Sequence, residues 1–125
     1  MHYNPCVYSA KLLDHFEHPR NVGEIASADA SVRVENPACG DIMQLSLRLS
    51  AGRIAEARYR TRGCVASIAC GSALTEIVLG LTQAQAAALQ REAIVAAVGG
   101  LPNESMHASH LALDALKAAL KQLGS

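Results

Sequence analysis

Between Met43 and Arg62 the chain alternates apolar and polar residues through two runs separated by Ala51-Gly52, and that pattern leaves few folds open to it. Met43, Leu45, Leu47 and Leu49 alternate with Gln44, Ser46, Arg48 and Ser50. Successive side chains of a strand point to opposite faces, so this run reads as a strand with one buried face. From Arg53 to Arg62 the expectation places Ala55, Ala57, Tyr59 and Thr61 on one face, with Glu56, Arg58, Arg60 and Arg62 on the other. A connection of two residues joins antiparallel neighbours, because parallel strands need a long crossover. A shorter alternation from Ser31 to Glu35, around Val32 and Val34, supplies a third strand.

After Gly63-Cys64 the period changes. Ile68, Thr75, Val78 and the small residues between them suit a helix from about Val65 to Leu79, closed by Gly80. Thr82 with Gln85 three residues on reads as a capping box. It opens a helical region running through the Ala-rich stretch to Val98 and stopping at Gly99-Gly100. A last helix covers roughly Ser109 to Leu123, with Leu113, Leu116, Leu120 and Leu123 as its stripe. At the other end Tyr8, Leu12, Leu13 and Phe16 follow helical spacing until Pro19 ends the element. Helix, three strands, then helices is an α+β pattern: a three-stranded antiparallel sheet packed on one face by helices. A length of 125 residues with no linker predicts a single domain spanning 1–125, its first seven residues mobile.

Eleven basic and eleven acidic residues cancel, so neither a nucleic acid nor an anionic membrane is recruited by bulk charge. Three Tyr, one Phe and no Trp give no base-stacking surface. The opening MHYNPCVYSA has neither a basic nor an apolar signal region, and no apolar run is long enough to span a bilayer. A cytoplasmic protein is expected. There Cys6, Cys39, Cys64 and Cys70 stay reduced, as core residues, metal ligands or reactive thiols.

Three loops carry residues capable of chemistry. Asn36-Pro37-Ala38-Cys39-Gly40-Asp41 joins two strands and places Cys39 two residues from Asp41. Gly63-Cys64 stands at a strand-to-helix junction, where unpaired N–H groups favour thiolate over thiol. Met106-His107-Ala108-Ser109-His110 opens the last helix. Thiolate, carboxylate and imidazole from three element ends can form a zinc or iron site, though without paired cysteines the spacing alone is a weak metal signal. The plainer alternatives are cysteines packed in the core, an Asp41 bonding its own turn, and a solvated His107.

Tyr8-Ser9-Ala10-Lys11-Leu12-Leu13-Asp14-His15-Phe16-Glu17-His18-Pro19-Arg20-Asn21-Val22-Gly23 closely resembles the opening of the IscU/NifU-type iron–sulfur cluster scaffold proteins. The resemblance continues through Pro37-Ala38-Cys39-Gly40-Asp41, Thr61-Arg62-Gly63-Cys64 and Leu74-Thr75-Glu76, and resumes at Leu101-Pro102 and from His107 to Lys117. It implies a cytosolic scaffold rather than an enzyme, with a three-stranded sheet and packed helices. On such a scaffold a cysteine desulfurase delivers persulfide sulfur, iron is supplied, and a labile [2Fe–2S] cluster forms and passes to acceptor apoproteins. By position, Cys39 and Cys64 match two of the three family cysteine ligands. Asp41 matches the aspartate associated with cluster lability, and His107 the histidine before the third cysteine. At that third position stands Ala108.

The resemblance therefore implies a donor set of Cys39, Asp41, Cys64 and His107 for a [2Fe–2S] cluster of mixed ligation or one tetrahedral Zn²⁺. Cys39 or Cys64 is the candidate persulfide acceptor. A zinc-bound sulfur relay, or a paralogue that docks a desulfurase or client without building clusters, is the alternative. Cys70, six residues after Cys64, falls on a different helix face and reads as core. His110, one turn from His107, matches a position usually apolar in the family, and Cys6 in the opening segment is uninformative. Leu101-Pro102-Asn103-Glu104-Ser105 keeps only the first two residues of the LPPVK-like chaperone loop, so chaperone recognition there is not expected. The assembly is a monomer, or a homodimer whose two chains bring two site cysteines each.

Overall fold

The two alternating runs form a hairpin, β2 (Ile42–Ser50) against β3 (Arg53–Arg62), with β1 (Ala30–Glu35) on the other side of β2. All pairs are antiparallel, in the order β1-β2-β3. The structure, a computed structural model, describes residues 8–37 and 40–124; the opening segment expected to be mobile lies outside them.

One face of the sheet is the core face. Val32, Leu45 and Tyr59 form a row across it, as do Ala30, Leu47 and Ala57, and of these only Val32 is incompletely buried. Arg33, Gln44 and Arg60 form a row on the opposite, open face. The expected alternation along β3 fails at its start, where Ile54 is buried and Ala55 exposed. The register steps from Arg48↔Glu56 to Leu49↔Ile54, which leaves Ala55 without a partner. An unpaired extra residue is a β-bulge, and it reverses the facing of what precedes it.

The helices cover the core face. α1 (Ala10–Glu17) is capped by Ser9, whose Oγ accepts the Leu12 N–H at 2.9 Å and donates to the Val98 carbonyl. α2 (Val65–Val78) packs on β3 and is buried along most of its length. The capping box appears as expected, with Thr82 Oγ1 accepting from Gln85 N–H and Gln85 Oε1 accepting from Thr82 N–H. The region it opens is two helices, α3 (Gln83–Ala87) and α4 (Arg91–Ala97), not the single one expected. Leu89 and Ile94 both pack into the core. Five residues turn an α-helix about 500°, or 140° net, so one straight helix could not bury both. The extended backbone of Gln90 resets the phase. After a 3-10 turn (Asn103–Ser105), α5 (His107–Gln122) starts two residues earlier than read, which makes His107 its first residue. No helix among the described residues is long and apolar enough to cross a membrane.

α1 and the segment after it are fastened to α2 by a polar seam. Ser72 Oγ accepts the Arg20 N–H at 2.9 Å and is hydrogen-bonded to His15 Nδ1 at 2.8 Å. Burial holds the His15 pKa below its ordinary value, and Arg20 adds to this against the opposing charges of Glu76 and Asp14. Between that lowered value and the unfolded value of 6.5, the unfolded chain binds more protons than the folded one. His15 thus contributes stability that is complete above the unfolded pKa and is lost as pH falls through the folded one. Denaturant unfolding should show stability dropping on acidification below about pH 6.5, and His15→Gln should remove that part of the slope. Equal slopes in the two proteins would contradict the role given to His15.

Candidate metal centre

The β1–β2 connection, the β3–α2 junction and the start of α5 meet at one end of the sheet. In the first, Gly40 donates to the Asn36 carbonyl at 2.7 Å, and Asn36 donates back to the Asp41 carbonyl at 2.8 Å. This closes the loop with Gly40 at φ +78°, a left-handed conformation suited to glycine. Asp41 emerges next to β2 with its side chain largely buried. Cys64 is the N-cap residue of α2, and its own side chain makes no cap hydrogen bond. Asp41 supplies the cap from across the fold, its Oδ2 accepting the Cys64 N–H at 3.4 Å. A carboxylate at a helix start is favoured by the positive end of the helix dipole.

His107 completes the group. Its Nε2 lies 3.6 Å from Cys64 Sγ and 3.6 Å from Asp41 Oδ2. One donor atom from each of Asp41, Cys64 and His107 falls within 4.8 Å of the others, from three elements far apart in sequence. Burial pushes the Asp41 carboxyl up, but hydrogen bonds from Ser67 and Cys64 and the nearby His107 outweigh it, leaving its pKa below the ordinary value. The carboxylate is therefore ionised at neutral pH and available to a cation.

An oxygen, a sulfur and a nitrogen converging this closely suit a borderline metal such as Zn²⁺ or iron, and three protein donors leave a tetrahedral ion one further position. Cys39 stands two residues before Asp41 in the chain and, like Cys6, lies outside the described residues. Cys70 is fully buried, with its thiol pushed up to about 12 by burial. It is a core residue. His110 is exposed on α5, outside the converging donors, and Ala108 is fully buried with nothing to donate.

Two further residues shape the site. A Cβ on Gly63 would lie 2.5 Å from Asp41 Cγ and 2.8 Å from each carboxylate oxygen, so Asp41 occupies space that only glycine leaves open. Ser67, fully buried on the first turn of α2, has its Oγ 2.7 Å from Asp41 Oδ2 and 3.4 Å from Cys64 Sγ. Its place three residues after Cys64 puts it on the same helix face, a sequence signal. Nothing in the sequence pairs it with Asp41.

The sequence profile described as "NifU-like N terminal domain" matches residues 7–124. The chain belongs to that family. This NifU-like chain is 45% identical over 114 residues to the iron–sulfur cluster assembly scaffold protein IscU 1 of Archaeoglobus fulgidus, which spans 91% of this chain and 74% of the relative. It is 42% identical over 117 residues to the scaffold protein IscU of Haemophilus influenzae, covering 90% of this chain and 92% of that one. These relatives are named as scaffolds, not enzymes. The fold superposes on the crystal structure of an N-terminal NifU-like protein from Brucella abortus with a TM-score of 0.78. That match covers 96% of both chains at 17% identity. The α+β NifU/IscU-like fold expected from the sequence is the observed one.

Proposed function

We propose that this NifU-like protein is a scaffold on which an iron–sulfur cluster is assembled and from which it passes to acceptor apoproteins. The observation that carries the reading is the convergence of Asp41, Cys64 and His107 donor atoms within 4.8 Å, in a chain 45% identical to a named scaffold. Cys39, two residues from Asp41 on the same connection, supplies a second thiolate. The cargo is a [2Fe–2S] cluster, and oxygen and nitrogen donors in place of thiolate raise its reduction potential, as histidine does in Rieske centres. Sulfur arrives from a cysteine desulfurase. The thiolate of Cys64 or Cys39 attacks the donor's persulfide, takes its outer sulfur and releases the donor cysteine as thiolate.

Asp41 gives the cluster its lability. A hard carboxylate is the weakest partner for iron–sulfur units, so the iron corner it holds is the one that opens to a chelator or an acceptor, and without Asp41 that corner falls to a softer, slower-exchanging donor. Asp41→Ala is expected to lengthen the lifetime of a reconstituted cluster against a chelator several-fold; an unchanged lifetime removes Asp41 from the donor set. A second reading has one observation in its favour: an O, N, S donor set is also suitable for one tetrahedral Zn²⁺, which makes the protein a zinc-bound sulfur relay. Transfer separates the two. Protein reconstituted with iron and sulfide should convert an apo-ferredoxin to its holo form within minutes, with the iron leaving the scaffold. A zinc-loaded protein that holds its metal and delivers only sulfur would establish the relay instead.

A further inference from the structure

The hydroxyl of Ser67 makes an unusual choice of partner. Serine and threonine inside helices commonly return their proton to a carbonyl one turn back, and this fold shows the habit twice. Thr75 Oγ1 donates to the Ser72 carbonyl at 2.7 Å, and Ser109 Oγ donates to the Met106 carbonyl at 2.7 Å. Ser67 instead reaches out of α2 to the carboxylate of Asp41, 26 residues earlier in the chain, at 2.7 Å. Around it α2 is built of Ala66, Ala69 and Gly71, where packing alone needs no hydroxyl. A buried hydroxyl costs free energy unless it is hydrogen-bonded, and here the bond goes to a charged acceptor, the stronger kind.

The same oxygen lies 3.4 Å from Cys64 Sγ. Ser67 therefore touches two of the three converging donors. Its one proton goes to the carboxylate, and its lone pairs face the thiol.

We propose that Ser67 is a positioning residue for metal binding: it holds the Asp41 carboxylate against the start of α2, so that Asp41 presents to an incoming ion in the orientation that Cys64 and His107 require. The inference rests on the reading of these three residues as metal donors. Two contacts confine the carboxylate from different sides. Gly63 leaves the space that the carboxylate fills, and Ser67 selects the direction in which its Oδ2 points. Without the Ser67 proton, the bond remaining to Oδ2 from α2 is the longer one from Cys64 N–H at 3.4 Å. Residues that orient a ligand are typically worth about 10- to 100-fold in metal affinity.

The test uses cobalt(II) as probe under anaerobic conditions, because its ligand-field and sulfur-to-metal absorption report the donor set directly and do not depend on cluster lifetime. Wild type, Ser67→Ala, Asp41→Ala and the double variant are titrated. Ser67→Ala removes a buried hydrogen bond to a charged acceptor, so the apo variant should unfold at a somewhat lower temperature, and all four proteins are titrated where circular dichroism shows them folded. Ser67→Ala is expected to weaken cobalt binding about tenfold or more and to change the ligand-field bands. In the Asp41→Ala background the same substitution should change affinity by less than about twofold, since coupled residues fail to add. Full additivity in the cycle, or unchanged affinity and spectrum in Ser67→Ala, would overturn the proposal and leave Ser67 a packing residue. Wild-type protein that binds no cobalt would overturn the donor reading itself, a failure visible before any variant is made.

Discussion

Replacing Cys64 with Ala is expected to leave the protein folded and unable to hold metal. Among the described donors Cys64 brings the only sulfur, and for iron and zinc a sulfur ligand binds more strongly than the carboxylate and imidazole beside it. Its loss should exceed the 10- to 100-fold effect of removing an orienting neighbour. The fold tolerates the change because the Cys64 side chain makes no cap hydrogen bond to α2 and is incompletely buried. The cap comes from Asp41 through the Cys64 backbone N–H, which alanine keeps. Iron, zinc and sulfide analysis after anaerobic loading and desalting checks this, beside circular dichroism of the apo forms. A variant that retains metal at the wild-type ratio would mean that other residues carry the site.

The largest effect on stability is expected from Gly71→Ala, with a sign opposite to the usual one. Glycine within a helix is worse than alanine by about 1 kcal/mol, so the substitution ordinarily stabilises. Here a Cβ would lie 2.5 Å from both Cδ2 and Cε2 of Tyr59, and 3.1 Å from Met43 Cε. The ring has nowhere to move. Tyr59 is almost fully buried, and its hydroxyl donates to the Ile68 carbonyl at 2.7 Å, on the same helix as Gly71. Overpacking of this kind costs about 1–3 kcal/mol and occasionally more. Contacts as short as 2.5 Å put the cost at the upper end of that range, and after the gain of about 1 kcal/mol from helix propensity the net expectation is a loss of about 2 kcal/mol, read as a fall in Tm on the order of 10 °C. An unchanged or higher Tm would mean that α2 can slide on the sheet.

The fold was legible where local pattern decides the structure. The period-2 runs place β2 and β3, Ala51-Gly52 joins them, and the Thr82/Gln85 pair caps α3 as read. The misreadings arose where packing overrides local pattern. The bulge at Ala55 reverses the start of β3, and the Ala-rich stretch divides because Leu89 and Ile94 are both drawn into the core. The site divides the same way. Asp41, Cys64 and His107 stood out by residue type and by position at element ends, and the structure brings one donor atom of each within 4.8 Å of the others. Gly63 and Ser67 did not, because their importance is a distance to Asp41 across the fold. Sequence position shows that Ser67 shares a face with Cys64, but not that Asp41 comes to meet it.

The central claim is that these donors accept an iron–sulfur cluster, and anaerobic reconstitution of the intact protein with ferrous iron, a cysteine desulfurase, its substrate cysteine and a thiol reductant that brings persulfide sulfur to sulfide tests it most directly. Visible absorption should develop sulfur-to-iron charge-transfer bands, with iron and acid-labile sulfide in equal amounts and zinc absent. The bands should not form with Cys64→Ala. A colourless protein carrying zinc or no metal at all would contradict the account and leave the convergence of Asp41, Cys64 and His107 without a cluster to hold.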